Sequence, residues 1–511
     1  MRTLFPLSVY VLSASALSPA TVDLVKARLK DAAQKSWEIG TRAQALLELE
    51  SPSVSVFTAT SIPGSPASQS TLQLSNAARL AFTSGQLGDV IGISYELIAN
   101  KEPGTLPLMK DGSSADPAST GVGMIVANWT EAQGSDFQAA ARDQLTWLLY
   151  HVPRSSNGAI SHRNEQVQLW SDYIYMVPPF LAYYGASTSN RTLVGEAYNQ
   201  IKLYRDVLLD KPTGLWQHIR QGSFEDRGLW STGSGWAAMG SMRVAATIRA
   251  AGYANEFTSE LDDLEAWTGE ILNGMWPLLT EQGLFYNYAN DPKTFLDSAS
   301  TALIAACTYR AAVMFNNTKH IEQAERVYNV IGGTGAANLN AYSAETTKRY
   351  HAARQVHHRV QLSHLQYRSE SDPVPLVSPI TRRQSQASKH ITAEGWLTPV
   401  VNPHSFHHEG QHSAEGQAFV LMMYAARNDY LATQKPKVVY GGAANVVGLD
   451  YTGSNVTGGL NGSRNVGAGL NPGSGEASNN GTTERKNADY KASFEVGTIV
   501  GAVGAVIAWV V

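Results

Sequence analysis

The sequence predicts an all-α fold, either a closed ring of helical hairpins or a helical solenoid. Apolar residues recur at three- and four-residue spacings along most of the chain from Val22 to Leu431. Strand-like alternation is scarce and short, and Gly, Pro, Asn and Asp gather between the periodic stretches, where turns belong. No strict repeat of roughly 33–47 residues is present, which disfavours the common solenoids.

The helices follow in order. Val22 to Leu49 carries Leu, Ala, Ile and Trp at helical spacing, and Leu72 to Ala99 does the same. Further helical stretches lie near Asp136–His151, Glu165–Tyr184, Thr192–Leu209, Gly235–Ala251 and Leu261–Leu279, then Leu296–Phe315, His320–Ile331 and Ala414–Leu431. About ten to twelve helices joined by loops suit such a ring. Two segments break the pattern. Residues 356–389 are basic and Ser-rich without periodicity, and read as a disordered insertion. Residues 433–487 are rich in Gly, Asn and Ser and read as a flexible stalk.

The 511 residues, 43% hydrophobic and 16% charged, exclude global disorder. A net charge of −4 gives no electrostatic reason to expect nucleic acid as a partner. The single cysteine, Cys307, lies in an apolar run and reads as a buried structural thiol. Residues 1–20 read as a secretory signal, with Arg2, the apolar stretch Leu4 to Leu12 and Ala14-Ser15-Ala16 as the cleavage site; a cut after Ala20 also fits. Residues 488–511 end in the uncharged run Val496 to Val511, which fits a glycolipid-anchor signal better than a spanning helix. Sequons at Asn128, Asn190, Asn316, Asn455, Asn461 and Asn480 agree with export. The expectation is a monomeric, surface-tethered protein of one large helical domain, residues 21–432, touching the membrane only through its tail.

Of the metal and phosphate motifs, H-E-x-x-H is spelled once, by His408-Glu409-Gly-Gln-His412, and there are no paired cysteines, no Walker-type loop and no G-x-S-x-G. His404, His407, His408 and His412 read as a solvated loop offering one substrate-contacting imidazole, and no cofactor is expected. The stretch around Trp170-Ser-Asp172-Tyr-Ile-Tyr175 sets a lone carboxylate among aromatics. Burial there would raise its pKa and prepare a general acid, but Asp172 fits a helix N-cap equally well. Gly214-Leu-Trp216-Gln-His218 and Trp230-Ser-Thr-Gly-Ser-Gly-Trp236 add tryptophans and a histidine suited to stacking and bonding sugars.

These paired segments resemble the unsaturated rhamnogalacturonyl and glucuronyl hydrolases, glycoside hydrolase families 105 and 88. Phe295-Leu-Asp297-Ser298 and Ser413-Ala-Glu415-Gly resemble them too. The resemblance spans roughly residues 30–432 outside the insertion. It implies an (α/α)6 barrel, the six-hairpin glycosidase toroid, followed by the disordered stalk. It also implies an oligosaccharide substrate bearing a C4=C5 double bond in its terminal uronic acid. Asp172 falls on the family's general acid, His218 on its substrate-contacting histidine, and Trp170, Trp230 and Trp236 on its aromatic walls. Asp116 is a candidate for its second aspartate. The family's Trp-x-Arg-Gly-Asn-Gly-Trp departs here, with Thr232 replacing the Arg and Ser234 the Asn. Carboxylate recognition then falls to Arg227 or Arg243, or is absent, which leaves open another six-hairpin glycosidase acting on cell-wall polysaccharide or a non-catalytic carbohydrate-binding surface protein.

Overall fold

The computed structural model describes residues 16–67, 85–129, 136–333 and 390–434. Helices α1 (Pro19–Ala32), α2 (Ser36–Glu50), α3 (Gly88–Asn100), α4 (Gly121–Trp129) and α5 (Phe137–Tyr150) come first. A short 3-10 turn, Asp116–Thr120, leads into α4. Next are α6 (Tyr173–Met176), α7 (Pro178–Ser187), α8 (Arg191–Leu208), α9 (Ser231–Ala250) and α10 (Thr258–Met275). The last are α11 (Ser298–Phe315), α12 (Ile321–Ile331) and α13 (Ala414–Thr433).

Outer and inner helices alternate. The inner ring runs α2, the 3-10 turn with α4, α6–α7, α9, α11 and α13, and α13 closes back on α2. The outer helices α1, α3, α5, α8, α10 and α12 each precede an inner one, giving the expected (α/α)6 barrel. Composition explains which helix goes where. α8 buries Leu193, Val194, Ala197, Ile201, Tyr204 and Leu208, a single stripe. By contrast α9 buries every residue but Arg249. Its small residues permit this. A Cβ on Gly240 would lie 2.1 Å from the Ile174 carbonyl, so only glycine lets α9 approach α6 there.

Deep in the ring, charge is paired. Both carboxylate oxygens of Glu48 on α2 take guanidinium groups, one from Arg243 on α9 and the other from Arg310 on α11. Arg310 also pairs with Asp429 on α13. Arg243 further donates to Gln44 at 2.8 Å and to Tyr175 at 3.3 Å. Removing one partner of such a network strands the others, so it locks four inner helices in register.

Three expected helices differ in detail. Val22–Leu49 is two helices, because the Glu38 side chain reaches back to the Gln34 and Lys35 N–H groups (2.8 and 2.9 Å) and starts α2 afresh. Glu165–Tyr184 is mostly not helical before Tyr173. Strand β1 (Leu169–Trp170) instead pairs antiparallel with the strand Ile219–Arg220, and Pro178-Pro179 restart the helix where prolines cost least. Leu72–Ala99 is described only from residue 85, and its visible helix is α3. Helix α4 was not legible as a separate element. The insertion 356–389, residues 435–487 of the stalk and the tail lie outside the described residues. Cys307 is fully buried, its thiol 3.8 Å from the Gly235 carbonyl, and burial pushes its pKa up.

Candidate active site

The inner helices α6, α9, α11 and α13 begin at one face, and Asp172, Trp230 and Thr232 stand at those starts. Asp172 immediately precedes α6, yet its side chain caps no backbone N–H. Its Oδ2 accepts from Ser171 Oγ at 3.2 Å and lies 3.6 Å from His218 Nε2. Burial raises its pKa, against the opposing pull of His218 and the Ser171 hydroxyl. The pairing of β1 with Ile219–Arg220 places the two side chains together, since Ser171 N–H donates to the His218 carbonyl at 2.9 Å.

His218 is fully buried and enclosed on three sides. Trp230 tilts over it at 4.4 Å, and Trp170 and Phe406 meet it edge-on at 5.4 and 4.5 Å. Its Nδ1 lies 2.9 Å from Asp226 Oδ2. Asp226 also accepts from the Tyr288 hydroxyl and from Gly228 N–H. Burial works against ionisation of Asp226, but the bonds from His218 and Tyr288 outweigh it and hold its pKa below the ordinary value.

Asp116 opens the 3-10 turn, 3.7 Å from His162 Nε2. Burial raises its pKa well above the ordinary range, and the charges of Asp111 and Asp172 add to this. Burial also holds His162 neutral, helped by Arg163 and His218. His162 stacks on Trp170 at 4.9 Å, so a continuous aromatic and imidazole wall links Asp116 to Asp172. Two carboxyls held toward their neutral forms thus face one mouth.

Trp170 and Trp230 both pack on His218, and Thr232 follows two residues after Trp230 in the first turn of α9. The Thr232 hydroxyl is 3.5 Å from Asp297 Oδ2. Asp297 caps α11, accepting from Ala299 and Ser300 N–H, and also accepts from Val401 N–H at 3.0 Å. Two expectations fail. Trp236 is not a wall: it is 2% exposed, about 9 Å down α9 at 1.5 Å per residue, packed on Tyr175 and Phe419. Arg243 lies about 20 Å down the same helix, consumed by Glu48, so it cannot reach a substrate at the mouth. Arg227 is exposed and pairs with Glu225.

Phe406, Tyr288 and Trp37 were not legible as contributors, and the histidine loop and Glu415 meet their partners here. Phe406 and His407 come from the hairpin formed by Val400–Asn402 and Ser405–Gly410, where His407 stacks on Tyr288 with Nδ1 3.2 Å from its hydroxyl. Trp37 donates to Glu415 at 2.6 Å, and burial with the nearby Glu38 charge pushes Glu415 up to about 7. His404 approaches Glu38 at 3.8 Å, and His412 stacks on Trp396. These partners are far apart in sequence, so no local motif could announce them. Among the described residues no group of three His, Cys, Asp or Glu could hold a metal ion.

With this geometry in place, the chain was compared with known proteins. Its residues 101–355 match the model of Glycosyl Hydrolase Family 88. It is 22% identical over 233 residues to the unsaturated rhamnogalacturonyl hydrolase YesR of Bacillus subtilis (strain 168), an alignment covering 43% of this chain and 63% of that protein. The match therefore spans less than two thirds of that relative. Among solved structures, a possible GH105 member from Salmonella enterica serovar Paratyphi A superposes with a TM-score of 0.55 at 14% identity, over 85% of this chain and all of that one. A possible GH105 member from Klebsiella pneumoniae does so at 0.54, with 14% identity and the same coverage. The ring of hairpins, the carboxyl-lined mouth and the sequence match agree: the chain carries a Glycosyl Hydrolase Family 88 domain.

Proposed function

We propose that the protein hydrates the C4=C5 double bond of an unsaturated uronic acid at the end of a pectin-derived oligosaccharide, with Asp172 as acid and base. The observation that carries this reading is Asp172 itself, a half-buried carboxyl at a helix start that caps no backbone N–H and faces His218. In its protonated form Asp172 gives a proton to C4. The carboxylate left behind takes a proton from the water that adds at C5, which restores the acid. The hemiketal so formed opens and releases the neighbouring sugar. Proton transfer of this kind contributes about 10²–10⁴-fold. Asp116, its pKa raised by burial, is suited to bond substrate oxygens. With Thr232 in place of the family arginine, the cation for the uronate is Arg163. Its charge acts on both Asp116 and His162, and it forms no ion pair among the described residues.

The test is to incubate the wild type and Asp172→Asn with unsaturated rhamnogalacturonan disaccharide. Loss of ultraviolet absorbance with the wild type alone supports the reading. No loss with either, while sugar binding persists, replaces it with a carbohydrate-binding role.

We also propose export and glycolipid tethering, with cleavage after Ala16. Leu17 is fully buried and Ser18 caps α1 through Thr21 N–H, so a cut after Ala20 would remove part of the folded domain. N-terminal sequencing of the secreted protein, and its release by a phosphatidylinositol-specific phospholipase, check both parts. Exposed Asn316 and Asn190 are the sequons best placed to carry glycans.

A further inference from the structure

Asp226 plays no part in the chemistry above, yet its surroundings are those of a dedicated support. It receives the Tyr288 hydroxyl, the Gly228 N–H and the His218 ring, all on its carboxylate oxygens. An oxygen already taking donors from Tyr288 can only accept from His218, which fixes a proton on Nδ1. The backbone adds to this, because Ile219 and Asp226 exchange N–H to carbonyl bonds of 2.7 and 3.0 Å. Trp230, Trp170 and Phe406 pack around the imidazole and block rotation of the ring. The opposite nitrogen, Nε2, is fully buried, without a hydrogen-bond partner, and aimed at Asp172. At 3.6 Å the two atoms are too far apart to satisfy each other. They are close enough to contact one oxygen between them.

We propose that Asp226, clamped by Tyr288, is a positioning residue that keeps the His218 proton on Nδ1, so that Nε2 and the Asp172 carboxylate accept the two hydrogens of a single attacking water. Only the hydrogen on the Asp172 side is transferred; the other stays on the water oxygen. This inference rests on the proposed hydration for the identity of that oxygen, but not for the state of the imidazole. It gives His218 a task that needs an acceptor nitrogen, not a charge.

Two measurements test it on the full-length protein. The first is the ¹⁵N spectrum of histidine-labelled wild type, with His218 assigned by its loss in His218→Gln. Nδ1 protonated and Nε2 bare is expected, and in Asp226→Asn that assignment is lost. The second is steady-state kinetics on unsaturated rhamnogalacturonan disaccharide. Asp226→Asn matches the carboxylate in shape but lets the ring take the other tautomer, so kcat falls at least about tenfold while KM stays within about twofold. Asp226→Glu restores part of the loss, and Tyr288→Phe costs about two- to tenfold. A wild-type His218 protonated on Nε2 alone, or an Asp226→Asn variant with wild-type kcat, overturns the proposal. If the wild type leaves the disaccharide untouched while its spectrum shows the expected tautomer, the hydration reading falls and the positioning role of Asp226 stands.

Discussion

The barrel buries charge in two places, and they are built oppositely. At depth, Glu48 faces Arg243 and Arg310, and opposite charges neutralise one another on four helices. At the mouth, Asp116 and Asp172 form no ion pair with a guanidinium among the described residues, Arg163 acting on Asp116 only at a distance, and their partners are the imidazoles of His162 and His218 at 3.7 and 3.6 Å. The deep cluster spends its groups on one another, though Arg243 Nε is left without a hydrogen-bond partner. The mouth leaves His218 Nε2 and His162 Nδ1 unpartnered and its carboxyls poised toward neutrality. Buried charge that is paired holds a fold, and buried charge left underpaired is kept for a substrate.

The sharpest break of this contrast is Asp172→Asn. It is expected to lower kcat by about 10²–10⁴-fold with no loss of melting temperature, measured by absorbance decay and calorimetry. Glu48→Gln should do the reverse, costing about 3–5 kcal/mol in denaturant titration while leaving kcat per folded molecule unchanged. A catalytic loss from Glu48→Gln without a stability loss would erase the distinction. Next in size, Arg163→Ala should raise KM about tenfold or more for a uronate-ended substrate, and far less for its methyl ester.

A pH comparison follows. Asp116 and Asp172 have folded pKa values raised above their unfolded ones. Their carboxyls therefore cost nothing below the unfolded pKa, and stability is lost as pH rises through the folded values. Asp116→Asn should raise the melting temperature near pH 7 and leave it unchanged near pH 3.5. A melting temperature raised equally at both would show that the gain is packing, not charge. The smallest effect is Thr232→Ala, under about twofold in kcat/KM. Its 3.5 Å contact with Asp297 is marginal, and three backbone N–H groups still hold that carboxylate.

Much of this was legible in the sequence, for identifiable reasons. Periodicity found α8, α9, α11 and α13 because a helix buried on one stripe or all round imposes its own spacing. The span Glu165–Tyr184 misled because aromatics at helical spacing also line a strand and a one-turn helix. Asp172 and His218 could be named because each lies in a motif dense with aromatics. Arg243 was misassigned because sequence cannot say how far down a helix the mouth ends, and six turns of barrel hold both functional and structural arginines. Asp226 sits in a loop with no motif to mark it. Its clasp by Tyr288, 62 residues later, depends on two loops meeting in space.

The hairpin from Val400 to Gly410 has a different standing from the rest of the mouth. It lies outside the matched residues 101–355, yet Phe406 meets His218 and Trp230, His407 meets Tyr288, and His404 approaches Glu38. It touches the walls of the site without carrying the acid. Such a piece is an exchangeable visor: its residues can be rewritten to admit a different sugar while Asp172 keeps its environment, so diversification of this enzyme's diet would be written there first.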